Sequence, residues 1–142
     1  MISDTRDTSL MQDLVIISIV AKPNQPFASY DLLQAISATG MKFGAMNIFH
    51  YYSPASMEKK PLFSLASATE PGEFDLNQMG NFSCSGLILF MNSQQVPDKR
   101  KAFTLMLETA EQLAEDLQGE LRSGTRSPWN ETIKQQYLDK MV

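Results

Sequence analysis

Four stretches of this chain have the make-up of β-strands with apolar side chains on both faces, and that feature constrains the fold more than any other. In DLVIISIVA, from Asp13 to Ala21, Leu14, Ile16, Ser18 and Val20 share one face while Val15, Ile17 and Ile19 share the other, because successive side chains of a strand point to opposite sides. In FGAMNIFHYY, from Phe43 to Tyr52, Phe43, Ala45, Asn47 and Phe49 oppose Gly44, Met46, Ile48 and His50. In PLFSLASA, from Pro61 to Ala68, Phe63 and Leu65 oppose Leu62, Ala66 and Ala68. In GLILFMN, from Gly86 to Asn92, Leu87, Leu89 and Met91 oppose Ile88 and Phe90. A sheet with one wet face alternates apolar with polar, and none of these stretches does so cleanly.

The helices are too few to cover both faces. A first helix is predicted after an Ser29 N-cap, with Leu32, Leu33 and Ile36 inward and Gly40 as its stop. The longest runs from Pro97-Asp98 to Gly119, with Ala102, Phe103, Met106, Leu107, Ala110, Leu113, Ala114 and Leu117 on a 3.6-residue period. Glu120 to Arg122 suits a short edge strand. A last helix starts at an Asn130 N-cap and turns Ile133, Tyr137, Leu138 and Met141 inward. The order β-α-β-β-β-α-(β)-α places strands in succession without a helix between them, which predicts hairpins and an α+β fold with helices on one side of the sheet. The other face is then left apolar and without helices, the mark of a binding surface.

Composition removes several functions. The chain has 142 residues and a net charge of −4, with no run of Lys and Arg, which argues against a nucleic-acid partner. No apolar run approaches the ~20 residues of a membrane span. The opening MISDTRDTSLMQD lacks the apolar region of a signal peptide. Residues 1–12 are expected to be a polar disordered tail or linker remnant, and residues 13–142 to form one domain. The single histidine, His50, excludes sites that need two. Cys84 and His50 are a nucleophilic pair by residue type only; nothing in the sequence brings them together. The carboxylates of LETAEQLAED lie on a solvated helix face, and GELRSGTR lacks the lysine and spacing of a phosphate loop. No catalytic constellation, cofactor motif or metal-ligand set is present, so the residues predict a non-enzymatic chain.

FGAMNIFH, followed by PLFSLASATEPGEFD, FMNS and LQGEL, resembles the C-terminal domain of the ZipA family over about Asp13 to Val142. ZipA is a bacterial division protein that binds the tubulin-like GTPase FtsZ. The resemblance implies a split β-α-β arrangement, with three helices on one face of a mainly antiparallel sheet and a shallow apolar groove on the other. It implies that the groove takes the C-terminal tail peptide of FtsZ, that no cofactor is needed, and that the isolated domain is monomeric. Family members work at the cytoplasmic face of the inner membrane at the septum, through an N-terminal membrane helix and linker not contained in these residues. Matched motif by motif, the peptide-binding residues are Leu14, Ile16, Met46, Ile48, Ala66, Ala68, Glu70, Ile88 and Phe90, with Met46 and Phe90 as the chief anchors. Two positions depart from the pattern: Glu70 stands where lysine is usual, and Ala45 where an acidic residue is common. The residues alone leave two other uses of the apolar face open, a small-molecule site and a homodimer interface.

Overall fold

A computed structural model describes residues 13–53, 60–69, 72–77, 83–124 and 127–141. At its centre is β1 (Leu14–Val20), which pairs antiparallel with β7 (Gly86–Asn92) along its whole length. On its other side β8 (Glu120–Ser123) covers only Ile17 to Val20. Beyond β7 come β5 (Phe63–Ser67), β4 (Phe49–Tyr51) and β3 (Lys42–Phe43), giving a sheet of six strands in the order β3-β4-β5-β7-β1-β8. Every pairing within it is antiparallel. With the helices α1 (Ser29–Thr39), α2 (Lys99–Leu117) and α3 (Glu131–Asp139), this is the expected α+β architecture.

The register explains where the core sits. Phe49, Leu65, Leu89 and Ile17 stand opposite one another in a row across four strands, and Ser67, Leu87 and Ile19 form the next row. These side chains are buried together with Leu32 and Ile36 of α1 and Phe103, Met106, Ala110 and Leu113 of α2. Tyr137, Leu138 and Met141 bring α3 against the same core. Its Tyr137 hydroxyl donates to the Ile16 carbonyl (2.8 Å) and accepts from the Gly124 amide (2.9 Å), standing in the ladder where β8 ends. The odd-numbered residues of β1, β5 and β7 are therefore the core set, as their alternation predicts.

Three local expectations are corrected. The continuous second strand from Phe43 to Tyr52 is instead a tight hairpin: β3 and β4 pair through Lys42 with His50 and Phe43 with Phe49, around a short 3-10 turn at Ala45–Asn47. The Gly44 amide donates to the Ile48 carbonyl and the Asn47 amide to the Gly44 carbonyl, both at 3.0 Å. The cap of α1 is Ala28, not Ser29, with no side-chain cap bond. Ala28 belongs to β2 (Phe27–Ala28), which pairs with β6 (Ser83–Cys84) in a small second sheet that no periodicity announces. Finally, α2 is closed by Gln118 in the left-handed conformation (φ 57°), not by Gly119. The glycine is needed for space: a Cβ at Gly119 would lie 2.9 Å from both Ile19 Cγ2 and Phe27 Cζ. The other caps agree with the sequence. Gly40 ends α1 at φ 84°, Asp98 accepts from the Lys101 amide, and Asn130 from the Ile133 amide. The tail predicted for residues 1–12 lies outside the described residues.

Candidate functional site

The face of the sheet turned away from the core carries the even-numbered residues. Two rows cross it. Ile16, Phe90, Ser64 and His50 lie opposite one another on β1, β7, β5 and β4, and Ser18, Ile88 and Ala66 form the row beside them. Ile16, Ala66, Ile88 and Phe90 are half-buried, and none of them belongs to the core or to the side chains packed against it. Leu14 extends this face at 38% exposure. Ala68, just past β5, is exposed, and its amide donates to the Gly86 carbonyl at 3.0 Å. The strand alternation therefore gathers Leu14, Ile16, Ala66, Ala68, Ile88 and Phe90 on one surface.

Met46 and Ile48 do not sit where a continuous strand would place them. Met46 is at the tip of the β3–β4 hairpin, 77% exposed, with φ 63° and ψ 13°. Asn47 follows at φ 59°. A left-handed methionine carries a cost of roughly 1–2 kcal/mol, whereas asparagine adopts this region more readily, so it is Met46 above all whose conformation is held by its surroundings. Ile48 is buried at 5% exposure but outside the core cluster. Its extended backbone (φ −130°, ψ 174°) turns its side chain opposite to that of Phe49, toward the His50 side. Glu70 lies outside the described residues.

The pairing of His50 with Ser64 at the polar end of the first row went unread in the sequence. His50 and Ser64 are buried, at 7% and 6% exposure. His50 Nε2 lies 2.9 Å from the Ala45 carbonyl and Nδ1 lies 2.7 Å from Ser64 Oγ. Because a carbonyl only accepts, Nε2 carries a proton; in the neutral ring Nδ1 then accepts from the Ser64 hydroxyl. The signal in the sequence was the pair of polar residues at even positions of otherwise apolar faces. What was missing was the register that makes them neighbours. Two further bonds reach the tip from outside the hairpin: the Phe74 amide donates to the Asn47 carbonyl at 2.9 Å, and Asn47 Nδ2 donates to Glu73 Oε1 at 3.4 Å.

Cys84 and His50 are not brought together. Cys84 is buried in β6, beside Ser67 on the core face, whereas His50 belongs to the opposite face with both ring nitrogens engaged. Burial pushes the Cys84 thiol above its ordinary 9.0, against smaller opposing hydrogen bonds from Gly86 and Ser67. Burial likewise raises Tyr137 above 10.0, against a smaller opposing bond from Gly124. Both groups are held in their neutral forms, which suits packing and not nucleophilic chemistry. No cluster of three or more His, Cys, Asp or Glu suited to a metal ion occurs among the described residues, and none of their helices is long and apolar enough to cross a membrane. A cleft of ≈ 320 Å³ lies where β8 leaves β1 uncovered, lined by Leu14, Ile16, Ile133, Tyr137, Lys140 and Met141 among others. It shares Leu14 and Ile16 with the even face.

Comparison with known proteins gives a consistent assignment. A family model described as "ZipA, C-terminal FtsZ-binding domain" matches residues 13–140. The chain is 38% identical over 130 residues to the cell division protein ZipA of Shewanella loihica, covering 92% of this chain and 39% of that protein. It is 37% identical over 130 residues to ZipA of Shewanella halifaxensis, covering 92% of this chain and 42% of that protein. Against ZipA of Shewanella putrefaciens it is 35% identical over 142 residues, covering 99% of this chain and 42% of that protein. The chain thus spans about two fifths of the length of these relatives. With nearly all of its described residues inside the matched segment, the chain belongs to the family of ZipA C-terminal FtsZ-binding domains.

Proposed function

We propose that this chain is a non-enzymatic cell-division adaptor domain that binds the C-terminal tail peptide of FtsZ on the even face of its sheet. The observation that carries the reading is the pair of rows built on Ile16–Phe90 and Ile88–Ala66. Their apolar side chains stand outside the core, and large exposed apolar patches are characteristic of interaction sites. Leu14, Ile16, Ala66, Ala68, Ile88 and Phe90 form the docking floor, and Met46 and Ile48 approach it from the hairpin. Glu70 follows β5 in sequence and is proposed as a further contact of the tail. Bearing a negative charge where the family motif has lysine, it weakens contact with an acidic stretch of the tail by at most ~1 kcal/mol.

Affinity comes from a few apolar anchors. Burying one large side chain contributes ~1.5–3 kcal/mol, so about three anchors give roughly 5–9 kcal/mol before ordering the peptide removes ~2–5. Association entropy takes more, which puts the dissociation constant in the micromolar range or weaker. Many tails along one FtsZ polymer would strengthen attachment through effective concentration. In the intact protein this domain would help tether FtsZ polymers to the cytoplasmic face of the inner membrane at the septum.

The test is a titration of the chain with a fluorescent peptide copying the C-terminal tail of FtsZ from the same organism. Saturable binding that is weakened by Phe90→Ala and by Met46→Lys is expected. No binding at several hundred micromolar, or binding indifferent to both substitutions, would overturn the reading. Mass measured across a dilution series checks the homodimer use of this face, since a dimer whose dissociation is promoted by Phe90→Ala would assign it to self-association.

A further inference from the structure

We infer that the buried His50–Ser64 pair is a positioning device for the binding face: it anchors the 45–47 tip, in which Met46 and Asn47 are left-handed, so that Met46 is presented outward at a set place. The inference rests on the functional reading above, but its physical basis is separate. Consecutive positive φ at Met46 and Asn47 persists only where the surroundings over-determine it, and such strain gathers at ligand clamps. Packing of the tip does not supply that reason, because Met46 is 77% exposed. Asn47 is restrained by its bonds to Phe74 and Glu73, and the Ala45 side of the tip is restrained from below. Ser64 lies directly opposite Phe90 in the ladder and His50 directly opposite Ser64. From there the imidazole spans the sheet surface to the tip, donating from Nε2 to the Ala45 carbonyl at 2.9 Å.

This bond acts on the residue immediately before Met46, and the Ser64 hydroxyl on Nδ1 (2.7 Å) keeps the ring turned that way. A buried histidine and a buried serine in a row of apolar side chains would be an expense to stability if they held nothing. Their engagement with each other and with the tip accounts for both. Met46 and Phe90 are thereby linked mechanically through one row of the sheet, Phe90–Ser64–His50–Ala45, although they are far apart in sequence.

The experiment is a double-mutant cycle on the same tail-peptide titration, read beside amide hydrogen exchange of the free chain. His50→Ala should weaken binding by about tenfold when Met46 is present and by less than about twofold in a Met46→Ala background. His50→Gln, whose side-chain amide places a donor near the Nε2 position, should recover part of the loss. Exchange at the Asn47 amide, bonded to Gly44, should accelerate while Leu89 in the core stays protected. Equal losses in both backgrounds, or no loss, would overturn the positioning role. Should the unsubstituted chain bind no peptide, the functional reading falls instead, and an Asn47 exchange rate unchanged by His50→Ala overturns the positioning role by itself. Ser64→Ala, which removes only the hydroxyl, decides the same question if His50→Ala fails to fold.

Discussion

Phe90 and Tyr137 illustrate how one residue can serve the face or serve the frame. Phe90 is half-buried outside the core, so its truncation removes little packing from the folded chain. Phe90→Ala is therefore expected to reduce tail-peptide affinity by about 2 kcal/mol, roughly 30-fold, while shifting the urea midpoint little; fluorescence titration and urea melts on one preparation separate the two effects. Tyr137 is the opposite case. Its hydroxyl replaces a ladder bond between β8 and β1 by satisfying the Ile16 carbonyl and the Gly124 amide together. Tyr137→Phe leaves both backbone groups without that partner and is expected to lower stability by about 1–3 kcal/mol, measured by urea unfolding, with peptide affinity little altered. The role of Tyr137 was not distinguishable in the sequence, where it was simply an inward position of a helix.

Among elements, legibility followed periodicity. β7 runs from Gly86 to Asn92 and α2 presents Phe103, Met106 and Ala110 to the core, because long regular segments repeat their instructions several times. The same alternation correctly put Ile88 and Phe90 on one side of their strand, and the family resemblance gathered them with Ile16 and Ala66, which the register places on the same face. Alternation failed at Gly44 to Asn47, where a turn built from Ala45 and Met46 has the apolarity of a strand, and it could not foresee β2 and β6, two residues each. Register was the other missing quantity. His50 and Ser64 are 14 residues apart, and only the β4–β5 pairing makes them neighbours. The end of α2 shows how a true signal can be assigned to the wrong cause. Gly119 marks the place, but Gln118 takes the left-handed residue and Gly119 provides clearance for Ile19 and Phe27. Two outcomes follow for thermal melts. Gln118→Gly should stabilise, by up to about 1 kcal/mol, by relieving the left-handed strain, and Gly119→Ala should destabilise by about 1–3 kcal/mol through overpacking.

The whole molecule responds to alkali through its buried neutral groups. For Tyr137 and Cys84 the folded-state pKa lies above the ordinary 10.0 and 9.0, so on raising the pH the unfolded chain releases these protons first. Stability from this source is complete below the ordinary values and is lost as pH rises through the folded ones. Urea midpoints measured from about pH 8 to about pH 11 should decline, and less steeply in Tyr137→Phe and Cys84→Ala. The margins of the sheet have a consequence for crowding. One margin, β3, is two residues long. The other, β8, is occupied along its outside by its own chain, through an isolated bridge of Arg122 to Pro128 and amide bonds from Ser123 to Ser127 (2.8 Å) and from Trp129 to Leu121 (3.1 Å). Neither margin offers a long free ladder to another copy. Copies of the chain crowded together can therefore keep the apolar even face uncovered without pairing strand to strand, because both margins of this sheet are short or already occupied by the chain itself.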